Sequence, residues 1–111
     1  MIVEVASLMA QPLMLRRIAE DDYTVRCGAL TVGRIMLKPL SGSRAMWLWS
    51  VTGPYLPPEL QPGSGDAESL EEAKAALKAR FDAWLHHAAV RGGEGHWHQG
   101  AAKLPVPPGG L

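Results

Sequence analysis

From Leu70 onward the apolar positions recur at helical spacing. Leu70, Ala73, Leu77, Phe81, Trp84, Leu85 and Ala88 fall in one sector when residues are placed at about 100° each. The pattern predicts an amphipathic helix with a single buried face. Ser69 with Glu72 three residues later forms a capping box, and Asp66, Glu68, Glu71 and Glu72 set negative charge at the positive end of the helix dipole. Gly92-Gly93 mark the other end, with Arg91 favourable beside the last carbonyls.

Upstream the period changes from helical to alternating. Tyr23, Val25 and Cys27 alternate with Thr24 and Arg26, Gly28-Ala29 supply a turn or bulge, and Leu30 to Leu37 resumes an extended pattern. Lys38-Pro39 should end that strand, because proline cannot donate to a ladder. Ser41-Gly42-Ser43 reads as a turn, and Ala45 to Thr52 as a third strand rich in aromatic and β-branched residues. Residues 2–9 read as a strand that becomes irregular, and Arg16-Arg17 with Glu20-Asp21-Asp22 as a polar link. From Gly53 to the helix cap, the density of proline and glycine predicts a long loop. Residues 92–111 carry too few apolar side chains to offset the entropy of ordering them, and read as a flexible, disordered tail.

The expected fold is therefore α+β. A three-stranded antiparallel meander with one C-terminal helix on one face would occupy residues 23–91, after an N-terminal segment (1–22) whose order the pattern does not fix. In the third strand Trp47, Trp49 and Val51 share one face while Met46 and Leu48 share the other. One helix covers about one sheet face, so a surplus apolar set needs another cover: the N-terminal segment, the proline-rich loop or a second protein molecule.

Charge changes this picture only locally. Lys plus Arg and Asp plus Glu number 11 each, so the chain as a whole offers no attraction to nucleic acid or anionic membrane. Yet between Tyr23 and Thr52 the only charges are Arg26, Arg34, Lys38 and Arg44. These four are the candidate nucleic-acid contacts, with Trp47 and Trp49 as a possible stacking platform. Cys27 is the sole cysteine, which excludes an intrachain disulfide and suggests a reducing cytoplasm. The apolar N-terminus lacks a basic leader and carries Glu4, so secretion is not expected, and no apolar run is long enough to cross a bilayer.

Candidate chemistry is sparse. His86-His87 and His96-x-His98 match no zinc spacing, and no metal or other cofactor is expected. Gly63-Ser64-Gly65-Asp66 lacks the Lys-Ser/Thr ending of a phosphate loop, and its acids would repel phosphate. No nucleophile motif surrounds Cys27, Ser41 or Ser43, so the protein reads as non-enzymatic. Protein association has the broader support. Met46 and Leu48 supply one surface, and Ala76, Ala79 and Ala83, with Ala75, make a smooth stripe on the outer side of the helix. The leading expectation is a binding protein that forms a homodimer or takes another protein; nucleic-acid binding through the basic strands is the alternative.

The segments Tyr23-Thr-Val-Arg, Val32-Gly-Arg-Ile35, Trp47-Leu-Trp-Ser50 and Ser69-Leu-Glu-Glu-Ala-Lys74 resemble a group of small uncharacterised bacterial proteins of β-β-β-α layout. The resemblance spans residues 23–88 and implies a fold but no activity. The layout is also similar, more loosely, to the three-strand-plus-helix DNA-binding modules of integrases.

Overall fold

The computed structural model describes residues 1–39 and 44–98. In chain order its elements are β1 (Ile2–Glu4), α1 (Val5–Met9), β2 (Leu13–Ala19), β3 (Asp22–Cys27), β4 (Leu30–Pro39), β5 (Ala45–Val51), a 3-10 turn (Pro58–Leu60), β6 (Ser64–Ala67), α2 (Leu70–Val90) and β7 (Glu94–His96). β2 to β6 form one antiparallel sheet in sequential order, and β1 pairs with β7 in a small second sheet.

α2 is the expected helix. Ser69 Oγ accepts from the Glu72 backbone N–H at 3.1 Å, and Glu72 reaches back to accept from Glu68 N–H at 3.2 Å, so one orphan donor of the first turn and the amide just before the cap are satisfied. Gly92 and Gly93 leave the helix at positive φ, which glycine adopts without strain. Ala73, Leu77, Phe81, Trp84, Leu85 and Ala88 are all buried, and each large side chain among them contributes about 1.5–3 kcal/mol relative to an exposed one.

α2 lies over the sheet face formed by Val25, Ile35, Trp49 and Val51. Gly33 lets it come close: a Cβ there would sit 2.1 Å from the Ser50 carbonyl oxygen and 3.1 Å from Leu77. The β3–β4 register passes from Val25↔Gly33 to Arg26↔Thr31, so Val32 is the extra residue of a bulge, with no exposed surface.

Five strands stand where three were expected. β2 was hidden because Arg16-Arg17 look like a linker, whereas in the ladder Arg16 pairs with Thr24 and Arg17 with Tyr23. β6 has almost no β propensity. It forms because Gly65 lies opposite Trp49 and offers the indole a surface without a side chain; a Cβ at Gly65 would be 3.0 Å from that ring. The proline-rich loop is anchored as well: Pro54 is buried and bridges to Trp97, and Leu56 and Leu60 pack against the core.

The expected disorder after the helix is corrected over residues 92–98. Trp97 is fully buried, edge-on to both Phe81 and Trp84 with ring centroids 6.2 and 5.7 Å away, and its backbone N–H donates to the Met1 carbonyl at 2.8 Å. One aromatic residue thus carries β7 and, through β1, the N-terminus into the core. Residues 99–111, the rest of that expected tail, and the Ser41-Gly42-Ser43 turn lie outside the described residues.

Candidate functional site

The register of β2 to β6 places alternate residues on a second face, away from α2. One row runs Arg16, Thr24, Arg34, Ser50, Ser64; the next runs Asp22, Met36, Leu48, Asp66; Lys38 lies opposite Met46 beyond them. The two sets singled out from sequence therefore occupy the same side of the sheet. Met46 and Leu48 supply its apolar part, and Arg26, Arg34 and Lys38 its charge. None of α1, α2 and the 3-10 turn is laid across this face, and Met36, Met46 and Leu48 are only half-buried there.

The charges on this face are partly spent. Arg34 forms a fork with Asp22, its Nε donating to Oδ1 at 2.9 Å and its Nη2 to Oδ2. That hydrogen bond holds the guanidinium above its ordinary pKa, against a smaller opposing effect of burial. The idea that no acid neutralises the basic strands is corrected at this position. Arg26 Nη2 donates to the Gly28 carbonyl at 3.2 Å, while its Nε is buried without a partner. Lys38 is exposed, and Arg44 is exposed but precedes β5 rather than lying on the sheet.

The tryptophans are not on this face. Trp49 is buried beneath α2, and Trp47 is half-buried with its ring 6.4 Å from Tyr23, on the helix side. A stacking platform of Trp47 and Trp49 is therefore corrected: the helix already covers it. The structure adds Met14, Arg16 and Met36 to the open face. The signal for Met14 and Arg16 was present as alternation in Leu13-Met-Leu-Arg-Arg, where both alternating sets are partly apolar and the period is blurred.

The alanine stripe does not join this site. Ala76 turns inward to the core, Ala79 is exposed, and Ala83 borders a hollow with Leu60 and His87. The histidines gather at the far end of α2. His87 Nδ1 is 3.8 Å from Glu59 Oε1, and the His98 ring lies 3.8 Å from that of Tyr55. No group of three or more His, Cys, Asp or Glu among the described residues has metal-binding geometry. Cys27 is buried and donates to the Leu8 carbonyl at 3.4 Å; burial pushes its thiol up. No described helix is long and apolar enough to cross a membrane. No protein-family model, curated protein or solved structure matches the chain.

Proposed function

We propose that the protein is a non-enzymatic binding protein that self-associates through the open face of its five-stranded sheet. The observation that carries this reading is the strip of Met36, Met46 and Leu48, on a face that none of the described helices covers. Sheet faces pack on one another at about 10 Å, and a two-fold interface uses the same patch twice. An axis parallel to the strands between β4 and β5 would stack Met36 on Leu48 of a second copy. The same axis would bring Asp22, held by Arg34, over Asp66 of the second copy. A reducing cytoplasm, in keeping with the lone buried thiol, belongs to the same proposal.

Sedimentation velocity over a concentration series tests this. The wild-type chain should pass from monomer to dimer, and Leu48→Asp should hold it monomeric with an unchanged near-ultraviolet spectrum. A wild type that stays monomeric at every concentration contradicts the proposal.

Nucleic-acid binding is the second reading, favoured by Arg16, Arg26 and Lys38 sharing one open face. Its support is weaker because Arg34 is paired and the tryptophans are covered. If it held, a generic DNA duplex would bind at low salt, and Arg16→Ala with Lys38→Ala would reduce the salt dependence.

A further inference from the structure

The apolar strip of the open face can be doubled about either of two axes in the plane of the sheet, one along the strands and one across them, and the charges around it separate the two. Met36 and Leu48 stand at the centre of their row, with Asp22 at one end and Asp66 at the other. Arg34 and Ser50 lie in the next row to one side, Lys38 and Met46 in the next row to the other. An axis across the strands sets Asp22 on Asp22, Asp66 on Asp66 and Arg34 on Lys38 of the second copy. Each of these contacts joins like charges, which opposes association.

An axis along the strands exchanges β4 with β5 and β3 with β6. Arg34 then faces Ser50, Lys38 faces Met46, and within these rows only Asp22 meets a like charge, that of Asp66. That contact has a cation beside it. The Asp22 side chain is 14% exposed under its Arg34 partner, whereas Arg34 itself is 48% exposed. Their fork uses Nε and Nη2, which leaves Nη1 and the outer edge of the guanidinium outside it. A guanidinium has enough donors to serve a second carboxylate on that edge. Asp66 is exposed on β6 and takes part in no ion pair among the described residues.

We infer that the outer edge of Arg34 takes the Asp66 carboxylate of a second copy, once in each direction across the two-fold, and that this pair selects the axis along the strands. Met36 and Leu48 supply the contact; Arg34 and Asp66 orient it. The inference rests on the self-association reading and adds the residues that decide how the two copies meet.

The test compares dimer affinities of the full chain and its charge variants by sedimentation velocity, with near-ultraviolet spectra to check the fold. Asp66→Asn should weaken the dimer roughly tenfold or more, because both Arg34 contacts are lost. Arg34→Glu should be monomeric at concentrations where the wild type is dimeric. Mixing it with Asp66→Lys should restore a dimer with one copy of each, since both of its contacts then join opposite charges. If Arg34→Glu unfolds beside Asp22, Asp66→Asn at its exposed position still decides the question. An Asp66→Asn dimer as tight as the wild type, or tighter, would overturn the inference. So would a dimer strengthened by Arg34→Glu, the result expected of the axis across the strands, where this side chain faces Lys38. Either result leaves the wild-type dimer, and so the self-association, standing. A wild type that is monomeric throughout overturns both.

Discussion

On its helix side the sheet presents Val25, Ile35, Trp49 and Val51, all buried; on the other side the same strands bury Thr24 but leave Arg26, Arg34, Met36, Met46 and Leu48 at least partly exposed. The strands supply both sets by simple alternation, so the difference lies in what covers each face. A helix is about 10–12 Å across, while five strands spaced about 4.8 Å apart span about 19 Å. α2 can therefore hide part of one face and none of the other. Burial on the covered face is a matter of stability. Half-burial on the open face leaves apolar surface available to another molecule.

This contrast can be broken from the covered side with the largest effect. Trp97→Ala should destabilise the fold by about 3–5 kcal/mol in denaturant melts, because it empties the space between Phe81 and Trp84 and releases β1 with β7. If instead residues 92–98 were a tail, the loss would be near zero. Gly33→Ala should cost about 1–3 kcal/mol, since its new methyl meets the Ser50 backbone, which cannot move without opening the β4–β5 ladder. Ser69→Ala should cost about 1 kcal/mol through the lost cap.

Smaller changes sharpen the other side. Arg34→Ala should cost about 1 kcal/mol in the monomer, as the Arg34 side chain is half in solvent though its Asp22 partner is not, and Leu48→Ala should fall within about 0.5 kcal/mol at concentrations where the chain is monomeric. Cys27 gives a pH-dependent test of burial. Its folded pKa is raised, so the native state keeps a proton that the unfolded chain releases. Its contribution is complete below the unfolded thiol value of about 8.5 and is lost as pH rises from there toward the folded value. Cys27→Ala should flatten that alkaline slope in melts from pH 8 upward.

Much of the covered face was legible in the sequence. The helix announced itself through the spacing of Leu70 to Ala88 and through Ser69 and Glu72, because a single long periodic element needs no partner to be recognised. β3, β4 and β5 were legible from alternation. β2 was not, since an edge strand with Met14 outside and Arg17 on the inner face does not separate apolar from polar. β6 and β7 were not either: Ser64-Gly-Asp-Ala67 and Glu94-Gly-His96 become strands because indole rings of Trp49 and Trp84 press on Gly65 and Gly95, a long-range cause that local sequence does not carry. Of the open face, Met46, Leu48, Arg26, Arg34 and Lys38 could be named in advance. Their union on one surface, and the Asp22 that neutralises Arg34, depended on the register.

Light scattering of the wild-type chain over a concentration series, at low and high salt, tests the role of the open face most directly. The account predicts a mass that rises toward a dimer and persists in high salt, because Met36, Met46 and Leu48 supply the contact. A constant monomer mass at every concentration and salt would contradict it.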